Sequence, residues 1–270
     1  MKTRIISGVL GAVIAVLIFL YGNISLSVAV SALILIALFE FHRATGIAQK
    51  NKALFFISLL YGVCISLLVS FYYSLKYCNE VNIIYVIVLL CYMVLKHDDV
   101  KFSSIGISAL GTLYITIFLS HIIMIRHINH GKIYIWLVFL IAWGTDTFAY
   151  FCGKAFGRHK LIPKVSPKKT VEGSVGGIIG AAVVTAIFCR VCANVIGLNG
   201  SILKAAVLAA LASVLSQFGD LCASCIKREH NVKDFGNLIP GHGGVLDRFD
   251  SVLIIAPIIY YYIYYWGIIA

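Results

Sequence analysis

Long apolar runs separated by short polar segments repeat along almost the whole chain. Many of these runs reach the roughly 18 uncharged residues that predict a membrane-spanning helix. The candidate spans lie at about 5–22, 24–41, 53–73, 80–95, 103–125, 133–152, 174–195, 203–223 and 252–269. The pattern therefore predicts an all-α polytopic membrane protein with about nine transmembrane helices.

Composition and charge add an orientation to these spans. Of the 270 residues, 61% are hydrophobic and 12% are charged, with 22 basic and 11 acidic residues and a formal net charge of +11. If the N-terminus is cytoplasmic, most of the basic residues fall in cytoplasmic loops, as the positive-inside rule expects. We therefore predict a cytoplasmic N-terminus, and the positive charge then requires no nucleic-acid partner.

The acidic residues divide the chain into two parts. Residues 1–130 hold four of the 11 acids, and none of the four looks like part of a cluster: Glu40, Glu80, Asp98 and Asp99. The other acids accompany the two longest polar loops, 153–173 and 226–250. We predict a C-terminal catalytic transmembrane domain at 131–270. The N-terminal helices would bind lipid, form a dimer interface or brace the site.

Eight cysteines raise the question of a disulfide or a zinc site. Cys189 and Cys192 have C-x-x-C spacing, as do Cys222 and Cys225. Both pairs lie in apolar helical runs without a neighbouring group of histidines. We interpret them as small, polarizable packing residues.

Two aspartates lie inside predicted spans. Asp146 occurs in "WGTDTFAY" and Asp220 in "SQFGDLCAS", where Ser216 and Ser224 share its helical face. An ionisable residue within a span costs about 2.5–3.5 kcal/mol on insertion scales, so it usually faces a polar interior and marks function. The alternative is a hydrogen bond that joins two helices. Two aspartates near predicted cytoplasmic ends favour a functional site.

The stretch "KDFGNLIPGHGGVLDRFDS", 233–251, holds a second acidic group. If "GVLDRFDS" begins the last helix, Asp247 and Asp250 share a face and repel each other unless a cation lies near. Carboxylates with phosphate and water oxygens are the ligands that Mg²⁺ prefers. The alternative is a helix cap with an ion pair to Arg248.

Glycines and basic residues suggest a phosphate site in the same region. Gly241, Gly243 and Gly244 surround His242, so the backbone can turn sharply, and the following helix could offer its N–H groups to an anion. Basic side chains converge from both loops: Lys154, Arg158, Lys160, Lys164, Lys168, Lys169, Lys227, Arg228 and Lys233. Together they predict a site for a metal-bound polyphosphate. A surface that holds anionic lipid headgroups is the alternative.

The segment "SPKKTVEG", 166–173, is typical of the start of a helix. Thr170 could cap the helix, Glu172 would lie in its first turn, and Lys168 and Lys169 would stay at the membrane surface.

The segment "SCIKREHNVKDFGNLIPGHGGVLDRFDS", 224–251, resembles the signature of the phosphatidate cytidylyltransferase (CDP-diacylglycerol synthase) family. That signature reads S-x-x-K-R, K-D-F and P-G-H-G-G-x-x-D-R-x-D. Upstream, "GTDTFAYFCGKAFGRHKL", "SPKKTVEGSVGG" and "SQFGDL" resemble the other motifs of the family. The resemblance is close over about residues 140–251, whereas the N-terminal spans agree only in being apolar helices.

The resemblance implies an integral membrane enzyme that joins CTP to phosphatidic acid, giving CDP-diacylglycerol and pyrophosphate. The lipid phosphate would attack the α-phosphorus of CTP in line, assisted by Mg²⁺, with a second cation also compatible with the family. Asp220 and Asp247 would hold the metal, with Asp250 and Asp146 in support. The resemblance also implies a homodimer, a bacterial cytoplasmic membrane and a polar cavity open to cytosol and bilayer.

The candidate residues follow from the motifs and the resemblance together. The candidate catalytic residues are Asp220, Asp247, Asp250, Lys227, Arg228, His242 and Arg248. The candidate substrate-binding residues are Asp146, Lys154, Lys168, Lys169, Thr170, Glu172, Lys233, Asp234, Gly241, Gly243, Gly244, Ser216 and Ser224.

Two other functions are compatible with the residues alone. A cation-coupled transporter would also use intramembrane aspartates, although it would favour midplane carboxylates and repeated halves. A CTP-dependent transferase could act on another lipid phosphate, because motifs built around phosphate and metal do not read the acyl chains.

Overall fold

The structure is a computed structural model that describes residues 2–196 and 201–268. Within these residues the chain forms ten helices and two short strands. The helices are α1 (Lys2–Tyr21), α2 (Asn23–Ala44), α3 (Ile47–Lys50), α4 (Lys52–Tyr72), α5 (Cys78–Leu95), α6 (Phe102–His127), α7 (Gly131–Phe156), α8 (Val171–Ile196), α9 (Ile202–Glu229) and α10 (Leu246–Trp266). The strands are β1 (Lys160–Ile162) and β2 (Ser166–Thr170).

Eight of these helices, α2 and α4 to α10, are long and apolar enough to cross a membrane, which confirms the prediction of a polytopic membrane protein. The predicted first span coincides with α1, which is not among the eight; several of its side chains lie outside the described residues.

Helix α9 differs from its prediction, since it continues to Glu229 instead of ending near 223. Lys227 and Arg228 therefore occupy its last turn, where positive charge favours the negative end of the helix dipole.

A glycine turn and an asparagine cap mark where helices end and begin between α2 and α4. After α2 the chain turns at Gly46, whose φ of 76° is in the left-handed region that favours glycine. Asn51 then caps α4, because its side chain accepts a hydrogen bond from the N–H of Leu54 at 3.2 Å. These short connections fold α2 and α4 into neighbours.

The chain forms two compact units, and the first comprises Met1–His127 and Glu229–Phe249. Its helices α2, α4 and α6 pack on one another around fully buried side chains such as Ile34, Leu38, Leu54, Ile65 and Ile115.

A chain of buried, hydrogen-bonded polar side chains crosses this packing. The ring of His42 contacts Ser108 Oγ at 3.0 Å, Ser108 Oγ lies 2.9 Å from Ser58 Oγ, and Ser58 Oγ lies 3.1 Å from the hydroxyl of Tyr85. We call these four side chains the polar chain; they join α2, α4, α5 and α6 by hydrogen bonds.

The second unit comprises Ile128–Arg228 and Asp250–Ala270. Helices α7 and α8 approach closely because glycines line the contacting face of α8. A Cβ atom at Gly173 would lie 2.7 Å from the carbonyl oxygen of Ala149, and one at Gly177 would lie 2.9 Å from that of Thr145. Small residues allow this backbone approach in a membrane.

A short antiparallel sheet is the exception to the helical fold. Strands β1 and β2 pair Lys160 with Thr170 and Ile162 with Ser166, within the loop that joins α7 to α8. The sequence did not predict this hairpin. It fixes the segment that carries Lys168 and Lys169.

Candidate active site

A cavity of about 290 Å³ with several charged side chains in its walls lies within the second unit. Elements α7, β1, β2, α8 and α9 contribute to its walls, and its charged side chains are Asp146, Lys154, Lys168 and Lys169. Thr170 also lines it. Five of the residues predicted to bind substrate are therefore brought together, although they span 25 positions of the sequence. Three lysines and one carboxylate in one cavity suit a polyanion.

An ion pair connects this cavity to α9. Lys169 Nζ on β2 pairs with Asp220 Oδ2, and the two side chains are 26% and 28% exposed. Both side chains are therefore largely removed from water. A phosphate would compete for the lysine, and a cation would compete for the aspartate.

Asp250 adds a second carboxylate on α10. It is buried and interacts electrostatically with the like charges of Asp220 and Asp146, and with the opposite charge of Lys227. Like charges held close in a buried environment favour a bound cation or a compensating base.

Gly219 allows this approach of α10 to α9. A Cβ atom at Gly219 would lie 2.9 Å from the carbonyl oxygen of Asp250 and 3.4 Å from the side chain of Ile254. The glycine next to Asp220 therefore lets the two helices bring their carboxylates together.

Thr170 and Glu172 organise the start of α8. Thr170 Oγ1 accepts a hydrogen bond from the N–H of Gly173 at 3.2 Å, which confirms the predicted cap. Glu172 accepts hydrogen bonds from the N–H groups of Arg158 and His159 at 3.1 and 3.2 Å, and His159 Nδ1 lies 2.6 Å from its carboxylate. The carboxylate thus ties the hairpin loop to α8. A substrate contact by Glu172 stays a prediction that these bonds do not favour.

The signature loop and the start of α10 belong to the first unit. Asp247 is 5% exposed, and its Oδ2 accepts hydrogen bonds from the N–H groups of Phe235 at 2.9 Å and of Gly244 at 3.0 Å. Asp247 is the second residue of α10, so its carboxylate reaches back to an N–H group just before the helix begins. The two bonds orient the predicted metal ligand.

The glycines of this loop turn the chain as predicted, but the backbone N–H groups that follow them bind carboxylates of the chain, whereas the sequence predicted a phosphate. Gly241 and Gly243 have φ of 79° and 85°, which glycine adopts without strain. The sequence suggested that the N–H groups at the start of α10 bind a phosphate. Instead, the N–H of Gly244 binds Asp247, and those of Val245 and Leu246 bind Glu40 at 3.0 and 2.8 Å. Carboxylates on the chain itself occupy these donors.

The remaining predicted residues divide between the units. In the first unit His242 is half-buried, and four further residues are exposed: Lys233, Asp234, Gly241 and Arg248. In the second unit Arg228 is exposed and Ser224 is half-buried. Ser216 is fully buried there, and its hydroxyl has no hydrogen-bond partner among the described residues. Of the predicted metal pair, Asp220 belongs to the second unit and Asp247 to the first.

Several residues of the site were not predicted. Glu40 was judged isolated. Gln217 is 8% exposed, lines the cavity and donates from Nε2 to the carbonyl oxygen of Ser174 at 3.3 Å. Its position three residues before Asp220 was the available signal, because residues three apart share a helical face. Tyr150 lines the cavity from α7. The only feature of the sequence that could have predicted this is its position one helical turn after Asp146.

The spans and the charged cavity define an integral membrane protein with a site suited to phosphate chemistry. Comparison with known proteins identifies the group. A model of the cytidylyltransferase family matches residues 2–266, and the chain belongs to that family. This confirms the resemblance seen in the motifs and extends it over the N-terminal half.

Three relatives, each named phosphatidate cytidylyltransferase, illustrate the similarity. The chain is 36% identical over 264 residues to the protein from Bacillus subtilis, with 97% of each chain covered. It is 30% identical to the protein from Thermotoga maritima, over 96% of this chain and 95% of the relative. It is 33% identical to the protein from Rickettsia bellii, over 79% of this chain and 92% of the relative.

Proposed function

We propose that this protein transfers CMP from CTP to phosphatidic acid, giving CDP-diacylglycerol and pyrophosphate. The observation that carries the proposal is the cavity of the second unit, in which Lys154, Lys168 and Lys169 face Asp146 beside the Asp220 ion pair. Family membership supports cytidylyl transfer, and the names of full-length relatives support phosphatidate as the acceptor. The transporter hypothesis has no comparable support.

The reaction needs charge neutralisation more than proton transfer. An oxygen of the lipid phosphate forms a bond to the α-phosphorus of CTP, and the bond from that phosphorus to the bridging α–β oxygen breaks as pyrophosphate leaves. A phosphate monoester is largely ionised near neutral pH, since its second pKa is about 6, so a strong general base is not required. The lysines of the cavity would hold the phosphates and stabilise the leaving group.

The Lys169–Asp220 ion pair suggests how the cavity receives its substrate. Each partner of this pair satisfies the charge of the other. When triphosphate enters, the lysine can turn to a phosphate oxygen, and the aspartate then becomes available to a cation. Phosphate and cation would therefore bind cooperatively.

Mg²⁺ fits the residues in charge and in donor type. Asp250 interacts electrostatically with Asp220 and with Asp146, and all three offer only oxygen ligands; Asp247 stays a proposed ligand on the family resemblance. Among residues 2–196 and 201–268, no group of three or more His, Cys, Asp or Glu forms a metal cage. The proposed ion would take its other ligands from substrate phosphates and water, as Mg²⁺ commonly does. When bound, it would neutralise phosphate charge and align the two phosphates.

The proposal extends to the setting of the enzyme. We place it in the cytoplasmic membrane of a bacterium, with the cavity facing the cytoplasm, because the relatives are bacterial and basic residues concentrate in the loops of one side. A homodimer, implied by the family resemblance, is part of the same proposal.

The test uses purified protein in detergent with phosphatidate, Mg²⁺ and CTP labelled at the α- or the γ-phosphorus. Label should enter the lipid from the α position only. Label from the γ position would mean a lipid kinase, and transfer only to another lipid phosphate would change the acceptor.

Matched variants connect the activity to the cavity. We expect Asp220→Asn to lower turnover about 100-fold or more, since it removes a charge that acts on the transferred group. Asp98→Asn is the control, because the Asp98 side chain is 85% exposed outside the cavity. Equal turnover in both variants would remove Asp220 from the site.

A further inference from the structure

Glu40, on α2, is a buried carboxylate of the N-terminal half that contacts the signature loop. It is 2% exposed; Oε1 accepts a hydrogen bond from the N–H of Val245 at 3.0 Å, and Oε2 accepts one from that of Leu246 at 2.8 Å. All three residues belong to the first unit. We propose that Glu40 is a positioning residue, which fixes the start of α10 and through it the carboxylate of Asp247. The consequence for turnover rests on the function proposed above.

The two hydrogen bonds meet a need of α10 that the local sequence does not meet. The first N–H groups of a helix have no partner within the helix and are usually satisfied by a Ser, Thr, Asp or Asn at the cap. Here the residues before α10 are Gly244 and Val245, which have no side-chain acceptor. Glu40 supplies the acceptors from a distance of 205 residues in the sequence, and Asp247 supplies one for Gly244.

Two glycines leave room for the Glu40 carboxylate. A Cβ atom at Gly244 would lie 2.5 Å from Oε2, and one at Gly236 would collide with Oε1. Neither residue has a positive φ, so their backbone conformation does not demand glycine. The loop is therefore shaped around this carboxylate, from both sides.

The neighbours of Glu40 hold it in place. Phe41 packs against Phe235 of the loop, with ring centroids 6.3 Å apart, and His42 bonds to Ser108 on α6. Phe235 in turn donates its N–H to Asp247. Consecutive residues of α2 thus contact both the loop and the helix behind it.

The link to Asp247 is short. Leu246, whose N–H binds Glu40, immediately precedes Asp247, and both lie in the first turn of α10. If Glu40 no longer accepts these bonds, the first turn frays, and the Asp247 carboxylate loses its fixed direction. Of the roles predicted for the N-terminal helices, bracing of the site is the one that this geometry favours.

The main variant is Glu40→Gln, which keeps the shape of the side chain but removes its charge and one acceptor oxygen. Glu80→Gln is the matched control, because Glu80 is an exposed acid at the start of α5 in the same unit. The first readout is hydrogen exchange of peptides covering residues 234–250. We expect exchange of this segment to rise at least about tenfold in Glu40→Gln and to stay unchanged in Glu80→Gln, with α4 and α6 protected in both.

A second readout follows the metal without following the reaction. Binding of Mn²⁺, used as a paramagnetic probe for the Mg²⁺ site, should weaken about tenfold in Glu40→Gln. Turnover should fall, and the Mg²⁺ concentration for half-maximal rate should rise, while the KM for CTP changes little. Exchange and Mn²⁺ binding test Glu40 even if the protein does not use phosphatidate.

Gly244→Ala tests the same contact from the other side. The added methyl should displace the Glu40 carboxylate and reproduce the local exchange and the weakened Mn²⁺ binding. The proposal is overturned if both variants keep native exchange at 234–250 and native Mn²⁺ affinity. It is also overturned if protection is lost equally across α2, α4 and α6, because Glu40 would then stabilise the unit without positioning the loop.

Discussion

The substitution Gly219→Ala offers a direct test of how close α9 and α10 must lie. The new methyl group would be 2.9 Å from the carbonyl oxygen of Asp250, whereas ordinary contact begins near 3.4 Å. Helix α10 must therefore move by about 0.5 Å, since the obstacle is backbone. A displacement of about 1 Å at an active site can lower the rate about 100-fold, so we expect about a tenfold loss of turnover.

The stability change combines two opposite effects. Alanine gains about 1 kcal/mol over glycine inside a helix, and overpacking costs about 1–3 kcal/mol. The expected net effect is a loss of about 0–2 kcal/mol. Gly106→Ala is the matched control, because among the described residues no heavy atom outside the adjoining part of α6 lies within 4 Å of its added methyl. It should raise stability slightly and leave turnover unchanged.

The assay is CMP transfer from labelled CTP, with thermal unfolding in the same detergent. If Gly219→Ala and Gly106→Ala have equal turnover and equal melting temperatures, the close approach of α9 and α10 does not control the site. A large loss of stability without a change in the turnover of the folded fraction would also refute the reasoning.

Three further predictions follow from other contacts. Asp247→Asn keeps an oxygen that can accept the two N–H bonds, so we expect a folded protein with at least about 100-fold lower turnover; unfolding on substitution would contradict this. Thr170→Ala should cost about 1 kcal/mol of stability through loss of the α8 cap, measured by thermal unfolding, whereas Thr170→Ser should not. A double-mutant cycle with Lys169→Met and Asp220→Asn should give strongly non-additive losses of turnover, because each residue is the partner of the other; additive losses would show that the ion pair does not couple them.

The sequence predicted the elements whose signal is local. Span positions follow from apolar length alone, because no polar backbone outside a helix is tolerated in hydrocarbon. The cap at Thr170 and the turn at Gly241 and Gly243 also follow from neighbouring residues. The predicted end of α9 was wrong because the charged last turn of the helix was interpreted as a loop. Lys and Arg in fact favour the C-terminal turn of a helix.

The contacts that the sequence did not reveal join distant positions. Lys169 pairs with Asp220 across 51 residues, and Glu40 reaches Leu246 across 206. A single chain has no pattern that matches one charge to another over such separations. Glu172 shows the same limit, since its acidic position at a helix start was predicted, but its bonds to the loop at Arg158 and His159 depend on how the hairpin folds.

The polar chain has a consequence for the depth of groups in the membrane. Apolar helices in hydrocarbon can slide along one another with little change in contact, since lipid and leucine are equally apolar neighbours. A slide of one turn, about 5.4 Å, would separate His42, Ser58, Ser108 and Tyr85 and leave their polar atoms in an apolar layer. The four side chains thus fix the position of α2 along its axis relative to α4, α5 and α6, and with it the position of Glu40, which is half a turn from His42.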